Sequence, residues 1–274
     1  MAYPYVAWIA VMVLAPLLMI VMYAFIQPSN DVTTFRFTIS NFTRFFSDKV
    51  YTDVLTRSIY VAVLTTVICL LLGYPAAYII AMSKPKHKGL MVLLITFPTW
   101  INMLVRTYAW LGILQDDGII NSVLSLIGIG PVKMIYTNFA VVLGMVYNFI
   151  PFMILQIYAA LDKMDKSYIE AASDLGANNV QCFMKITLPM SLPGVISGIT
   201  LVFLPAVSSF FIPKLLGGGQ FVLIGNVIET QFLTAGDWSF GSAISLIMTI
   251  IIMISLYITK RLDTDPAEAK GGRL

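Results

Sequence analysis

The segment that decides the fold spans residues 170–189 and reads EAASDLGANNVQCFMKITLP. It is compact and polar, and long apolar stretches flank it on both sides. The flanking stretches favour lipid, because a long run of apolar side chains is stable in the hydrocarbon core of a bilayer. A polar insert within such a chain is the part that a partner in the cytoplasm can reach.

The insert carries the local signals of a helix, a turn and a second helix. Ser167 and Glu170 are spaced for a capping box, in which each side chain covers a backbone N–H at the start of the first helix. Gly176 suits the left-handed residue that ends this helix, and Asn178 suits the cap of the next one. Pro189 lacks a backbone donor, so we expect it to end the second helix and begin the return to the membrane.

Composition places the chain among integral membrane proteins. Of its 274 residues, 58% are hydrophobic and 11% are charged, whereas soluble domains carry about 25% charged residues. The sequence contains no long basic block, so nucleic acid is not an expected partner. We interpret Cys69 and Cys182 as unpaired thiols, and the single histidine, His87, argues against a histidine-ligated metal site or a Ser/His/Asp enzyme.

Intervals nearly free of charge predict an all-α membrane protein with six transmembrane helices in one domain, residues 1–274. Their expected bounds are 6–26, 58–83, 89–115, 134–161, 190–213 and 238–259. We interpret the first as an uncleaved helix, since no basic segment precedes it and no small-residue cleavage site follows it. A further apolar run at 215–228 is broken by glycines and is too short to cross, so we expect a surface or re-entrant segment.

Basic residues cluster in the loops on one face of the predicted bundle, which the positive-inside rule assigns to the cytoplasm. The cluster comprises Lys84, Lys86, Lys88, Lys163, Lys166, Lys185, Lys260, Arg261, Lys270 and Arg273. Loop 162–189 and both termini are therefore predicted to be cytoplasmic. The N-terminal segment opposes this assignment mildly, because it has no lysine or arginine before Arg36.

Seven residues of the insert fall at the fixed spacing of a known motif. They are Glu170, Ala171, Ala172, Gly176, Ile186, Leu188 and Pro189. This pattern, and its place between the fourth and fifth predicted spans, resembles the EAA motif of permease subunits from ATP-binding cassette (ABC) importers. The resemblance implies that the helix over 170–176 docks in a cleft of an ATPase and moves with it.

The resemblance covers nearly the whole chain and includes motifs similar to those of spermidine/putrescine permeases. It rests on Gly73-Tyr74-Pro75, on Phe97-Pro98-Thr99-Trp100 with Arg106-Thr107-Tyr108-Ala109-Trp110, on 215–219 with 224–228, and on Asp237-Trp238 before Phe240-Gly241. Related permeases for iron, phosphonates or opines share parts of these motifs, so the same architecture with another cargo stays an alternative.

The resemblance implies a type I importer permease in the inner membrane of a bacterium. Two homologous permease chains would form the pathway within membrane lipid, two ATPase subunits would lie beneath them, and an extracytoplasmic polyamine-binding protein would deliver cargo. ATP and Mg²⁺ would be used by the partner ATPase. We expect this chain to bind no cofactor and to be non-catalytic, since its sequence has no GxxxxGK[ST] loop. The residues assigned to ATPase coupling are Ser167, Glu170, Ala171, Ala172, Asp174, Leu175, Gly176, Ile186, Leu188 and Pro189.

A polyamine is a flexible cation, so its pathway should offer carboxylates, carbonyls and aromatic faces. The candidates are Trp100, Asn102, Tyr108, Asp116, Tyr147, Glu229 and Asp237. Glu229 is the favoured carboxylate because it lies close to an apolar stretch, although the aromatic candidates also suit ordinary membrane anchors.

Four other residues in the predicted spans bear on packing or cargo. Arg106 is the only charge inside a span, and we expect it to face protein or water, in a salt bridge or in contact with the binding protein. Asn148, like Asn102, suits a polar contact between helices. Gly194 and Gly198 form a GxxxG step that suits close packing with the partner permease.

Two rival functions predict features that the spans lack. A secondary transporter driven by an ion gradient needs buried acids as a proton or sodium relay, and the predicted spans contain almost none. An intramembrane enzyme needs a catalytic set, such as paired aspartates or a histidine-rich metal site. The sequence therefore favours a permease driven by a separate ATPase.

Overall fold

A computed structural model describes residues 3–27, 36–165 and 167–263, where the regular elements are helices apart from one isolated antiparallel bridge between Ile26 and Phe37. The helices are α1 (Tyr3–Ala24), α2 (Ser40–Ser47), α3 (Lys49–Met82), α4 (Pro85–Thr96), α5 (Met103–Leu114), α6 (Ile119–Leu126), α7 (Asn138–Asp162), α8 (Ser167–Asp174), α9 (Asn179–Cys182), α10 (Leu188–Val207), α11 (Phe211–Leu216), α12 (Ile224–Thr230) and α13 (Trp238–Asp263). A 3-10 turn at Phe97–Trp100 follows α4, and π-helical turns at Phe183–Thr187 and Gln231–Ala235 precede α10 and follow α12. Lys166, Lys270, Arg273 and both chain termini lie outside the described residues.

Four helical stretches among the described residues are long and apolar enough to cross a membrane. They are Lys49–Met82, Asn138–Asp162, Asn179–Val207 and Trp238–Arg261. The pair Pro85–Trp100 and Met103–Leu126 passes the same test only when taken together. The apolar part of α1, Trp8–Ala24, is shorter.

The third predicted span, 89–115, is not one straight helix. The chain bends by 90° between its two halves. Pro98 places the end of the first half in a 3-10 turn, and Ile101 is extended. Asn102 then starts α5, because its side chain accepts the N–H of Leu104 at 2.8 Å. A new helix therefore starts at this local cap, although the apolar pattern continues through it.

The fifth predicted span, 190–213, is shifted toward the N-terminus. The helix runs without interruption from Asn179 to Val207. It ends at Ser208, whose N–H and Oγ both donate to the carbonyl of Leu204. Beyond this end, Asn226 Nδ2 donates to the carbonyl of Phe210 at 2.6 Å.

The glycine-rich segment after α10 folds into the protein as α11, a turn and α12. Leu216, Leu223 and Ile224 are fully or almost fully buried. The N–H of Ile224 donates to Ser58 Oγ at 2.8 Å, which satisfies a donor at the start of a helix. The segment is therefore held by contacts with the rest of the chain, and its assignment as a surface or a re-entrant segment stays a prediction.

Helix α7 lies at the centre of the core, where it packs against α3 and α10. The GxxxG step of α10 serves this internal contact. A Cβ on Gly194 would lie 2.6 Å from the carbonyl oxygen of Gln156, and one on Gly198 would lie 2.7 Å from Met153 Sδ. The prediction that this step packs against a partner permease is therefore wrong, because α7 of the same chain occupies it.

Candidate functional site

The polar insert folds as two short helices that stand between α7 and α10. Helix α8 is capped by Asp165 rather than by Ser167: the N–H of Ser167 donates to Asp165 Oδ1 at 2.9 Å. The predicted capping box with Glu170 is wrong because Ser167 is already a helical residue. The hydrogen bonds from Ser167 lower the pKa of Asp165 below its ordinary value, since they favour the charged carboxylate.

The end of α8 matches its prediction. Gly176 has a φ of +84°, which is the left-handed conformation that glycine adopts without a steric penalty. The N–H of Ala177 donates to Ala172 O at 3.0 Å, and the N–H of Gly176 donates to Ser173 O at 2.9 Å. These two bonds form a Schellman motif and turn the chain sharply toward α9.

The second helix begins as predicted and then continues past its expected end. Asn178 and Gln181 form a reciprocal capping box, with bonds of 2.9 and 3.0 Å between each side chain and the other residue's N–H. A π-helical turn follows, and α10 continues it through Pro189. The prediction that Pro189 ends the helix is wrong, because its missing donor is accommodated next to a turn with shifted hydrogen bonds.

Motif residues from both halves of the insert line one open groove of about 420 Å³. Its lining includes Ala171, Ala172 and Leu175 from the first half and Ile186 from the second. The remaining residues assigned to coupling lie around it: Ser167, Glu170, Asp174, Gly176 and Pro189 are exposed, and Leu188 is half-buried. Leu175 is 90% exposed, so this polar insert presents apolar surface outside the spans.

Phe183 connects the insert to α3, and sequence reasoning missed it. Its ring stands edge-on between Tyr74 and Tyr78, with centroid distances of 5.8 and 5.7 Å. The hydroxyls of Tyr74 and Ser191 are 2.8 Å apart and join α3 to α10 beside this cluster. The contact spans more than a hundred positions along the chain, so no local pattern could have predicted it.

Phe183→Ala is expected to weaken the link between the insert and the spans without removing the insert's exposed surface. An aromatic pair contributes about 0.5–1.5 kcal/mol beyond its buried area, so losing two pairs should lower the free energy of unfolding by about 1–3 kcal/mol, measured as a lower thermal unfolding midpoint. Met184→Ala is the matched control, because Met184 lies in the same turn and is 55% exposed. Equal unfolding midpoints in both variants would contradict a linking role for Phe183.

An ion pair ties the beginning of α4 to the end of α7. The ammonium of Lys88 donates to Asp162 Oδ1, just before the insert begins. Sequence reasoning placed both residues on the cytoplasmic face but did not pair them. The pair fixes the position at which the chain leaves α7 for the insert.

The candidate pathway residues of the third span lie around its bend. Trp100 is 72% exposed at the end of the 3-10 turn, and Tyr108 is 56% exposed on α5. Asn102 is occupied as the cap of α5. Asp116 is exposed in the turn between α5 and α6.

Tyr147 of α7 lies close to two residues of α5. Its ring lies 5.3 Å from that of Trp110, edge to face, and 6.0 Å from the guanidinium carbon of Arg106. All three side chains are half-buried. Tyr147 is thus placed near the one charge of the predicted spans.

The favoured carboxylate, Glu229, and the candidate Asp237 are both in ion pairs. Glu229 Oε1 accepts from Lys214 Nζ at 2.7 Å, and Asp237 Oδ2 accepts from Arg44 Nη1 at 3.0 Å. The Arg44 guanidinium also lies 4.0 Å from the ring centroid of Phe240. The structure therefore places these acids in separate pairs and does not leave either as a free cation receptor.

Comparison with known proteins gives a family. The family model described as "Binding-protein-dependent transport system inner membrane component" matches residues 70–265. The spermidine/putrescine transport system permease protein PotB of Haemophilus influenzae is 38% identical over 258 residues, which are 93% of this chain and 90% of that protein. PotB of Escherichia coli is 38% identical over 256 residues, 92% of this chain and 93% of that protein.

Solved structures agree with this assignment at the level of the fold. A chain of a bacterial ABC transporter involved in the import of the acidic polysaccharide alginate matches with a TM-score of 0.77 at 16% identity, over 94% of this chain and 93% of that one. The same kind of transporter, in complex with a periplasmic protein bound to an alginate pentasaccharide, matches with a TM-score of 0.73 at 17% identity, over 96% and 94%. The helical architecture, the matched residues and the near full-length relatives show that this chain belongs to the family of binding-protein-dependent transport system inner membrane components.

Proposed function

We propose that this chain is the permease subunit of an ATP-driven importer of spermidine and putrescine, and that an ATPase grips it through loop 162–189. The observation that carries the coupling part of the proposal is the open groove shared by Ala171, Ala172 and Ile186. These motif residues are separated along the chain, yet they border one apolar depression beside an exposed helix. The cargo is proposed from the relatives named PotB.

The proposed topology has six crossings. Helix α1 has 22 residues and extends about 33 Å at 1.5 Å per residue, enough for the first crossing. The bent pair of α4 and α5 forms the third as a broken span. Loop 162–189 and both termini then lie in the cytoplasm, as the positive-inside rule predicts.

The proposed transporter contains a second homologous permease, two ATPase subunits and an extracytoplasmic polyamine-binding protein. ATP and Mg²⁺ belong to the ATPase subunits, and this chain is non-catalytic. The family's description as a binding-protein-dependent system supports the external partner.

Movement of the ATPase reaches the spans by two routes. The insert is continuous with α10 through the π-helical turn, so a rotation of α8 and α9 acts directly on that helix. Phe183 carries the same movement to α3 through Tyr74 and Tyr78. Coupling arises because the ATPase binds the insert differently in its open and closed states.

The proposed cargo path retains Trp100, Tyr108 and Tyr147 as aromatic faces, Asn102 as a polar side chain near the bend, and Asp116, Glu229 and Asp237 as acids. An ammonium of the cargo reaches Glu229 by displacing Lys214, whose side chain is 57% exposed. Exchange of one ammonium for another keeps the carboxylate paired during transfer. A weak site of this kind suits conduction, since the cargo must also leave.

Glu229→Gln is expected to weaken spermidine uptake, because the amide attracts the cation less. The size should match an exposed ion pair, whose contribution of about 0.2–1 kcal/mol corresponds to a loss of at most about fivefold. Lys214→Met removes the competing ammonium and is expected to maintain or improve uptake at low spermidine. Equal losses in the two variants would assign the pair to structure alone.

Uptake by the complete transporter in proteoliposomes tests the proposed function. We expect labelled spermidine and putrescine to enter only when the binding protein is outside and ATP is inside. Iron, a phosphonate or an opine supplied in place of the polyamine should not enter. Uptake of polyamine without ATP would contradict the mechanism, and ATP-driven uptake of another cargo alone would contradict the specificity.

A further inference from the structure

A pocket of about 480 Å³, with polar groups at its base, opens between α5, α7 and α10. Its lining is mostly apolar, and its side chains with polar groups are Arg106, Asn148 and Thr200. Part of its rim is exposed, with Phe152 at 40% and Leu201 at 44% exposure. An apolar rim around a buried polar floor is the usual build of a protein contact rather than of a lipid-facing surface.

Two groups on the pocket floor lack hydrogen-bond partners. Nε and Nη1 of Arg106 are buried and unpaired among the described residues. Asn148 is 2% exposed, and its Nδ2 donates to Gly144 O at 2.8 Å. Its Oδ1 is buried and likewise unpaired in the described chain. Buried polar groups are paired in nearly all native structures, so the pocket lacks an acceptor for Arg106 and a donor for Asn148.

The described chain does not supply the missing acceptor. Tyr147 offers Arg106 the face of its ring at 6.0 Å, which attracts the cation but accepts no hydrogen bond from Nε or Nη1. Three carboxylates are committed elsewhere, in the pairs Asp237–Arg44, Asp162–Lys88 and Glu229–Lys214. An arginine inside a membrane protein normally pairs with an acid or a carbonyl, so its counter-group lies outside the described residues.

Lipid and cargo are poor sources of that group. Asn148 is ten residues from the start of α7 and fourteen from its end, about 15 and 21 Å at 1.5 Å per residue. A headgroup phosphate at the membrane surface does not reach this depth. A polyamine carries ammonium groups and would be repelled by Arg106.

We propose that this pocket is the socket for a carboxylate side chain of the second permease subunit. The inference rests on the proposed pairing of two permease chains. The inserted segment brings an acid for Arg106, a donor group for Asn148 and an apolar flank for the rim at Phe152 and Leu201. In this proposal, α5, α7 and α10 form the interface between the two permease subunits at the level of Asn148.

Assembly of the complete transporter tests the socket. Breaking a buried charge pair by removing one partner costs on the order of 30-fold or more in affinity. We therefore expect Arg106→Met and Arg106→Glu to reduce co-purification of the second permease by about that factor. Arg57→Met is the matched control, since Arg57 is exposed and its guanidinium carbon also lies 6.0 Å from an aromatic ring, that of Phe221.

Charge reversal separates a direct contact from a folding defect. In the Arg106→Glu background, each Asp and Glu in the spans of the second permease is changed to Lys. We expect one such exchange to restore assembly, and the same exchange to impair assembly of the unmodified chain. Failure of every exchange, or normal assembly of Arg106→Met, would overturn the proposal.

Uptake measured on the same preparations distinguishes a failure of the socket proposal from a failure of the proposed function. Loss of assembly in the Arg106 variants supports the socket whichever cargo the unmodified transporter carries. Assembly that stays normal while the KM for cargo changes would assign the pocket to cargo and overturn the socket. A transporter that assembles as expected but carries no polyamine would contradict only the proposed cargo.

Discussion

Replacing Glu170 with lysine is expected to abolish cargo-stimulated ATP hydrolysis by the assembled transporter. Glu170 is an exposed residue of α8, beside the groove that Ala171, Ala172 and Ile186 line. A lysine reverses the charge at the proposed docking surface, and a single central contact residue can contribute 2 kcal/mol or more, about 30-fold in affinity. The measurement is ATPase activity in proteoliposomes, with and without the loaded binding protein.

The control for Glu170→Lys makes the same charge change outside the insert. Asp117→Lys alters an exposed acid in the turn after α5, and we expect it to leave stimulation near the level of the unmodified transporter. The yield of folded chain should be similar for both variants, because neither side chain is buried. Stimulation that survives in Glu170→Lys would remove α8 from the ATPase contact.

Gly194→Val is expected to prevent the chain from folding stably in the membrane. A Cβ at this position would lie 2.6 Å from both the Gln156 carbonyl oxygen and Ala160 Cβ, and 3.2 Å from Ile157 Cα. Two of these atoms belong to the backbone of α7, so side-chain rotation cannot relieve the clash. Overpacking of a core costs about 1–3 kcal/mol where neighbours adjust, and more where they cannot. The measurements are the yield of monodisperse protein and its thermal unfolding midpoint.

Gly112→Val is the matched substitution, because it also places a valine in an apolar helix. A Cβ on Gly112 meets no atom within 4 Å. We expect this variant to keep nearly the yield and the unfolding midpoint of the unmodified chain. Similar behaviour of the two variants would show that α7 and α10 do not pack as closely as the structure places them.

Local sequence signals predicted the two helices of the insert and some of the residues that cap them. Gly176 and Asn178 are correctly placed, because a left-handed end and a side-chain cap depend on a few neighbouring residues. The cap at Asp165 was missed, since Ser167 fits a capping box equally well by spacing. The passage through Pro189 depends on the preceding π-helical turn, which no simple pattern of residues marks.

The apolar pattern predicted helices, but it does not contain the caps and long-range contacts that decide where the helices break and what they touch. The bend at Asn102 and the end of α10 at Val207 both occur inside intervals that are nearly free of charge. Phe183 was missed for the same reason, because its partners Tyr74 and Tyr78 lie on a distant helix. From residue type alone, Glu229 was also interpreted as a free acid, whereas in the fold it forms an ion pair with a lysine.

Cross-linking at Leu175 tests most directly whether a cytoplasmic ATPase drives this chain through the insert. Leu175→Cys introduces a thiol at a position that is 90% exposed in the groove, while the native Cys69 and Cys182 are buried. In membranes that contain the complete transporter, we predict a cross-link between this cysteine and the ATPase subunit, with a yield that changes when ATP binds. Labelling of the cysteine by an impermeant reagent from the outer side, without a cross-link to the ATPase, would contradict the account.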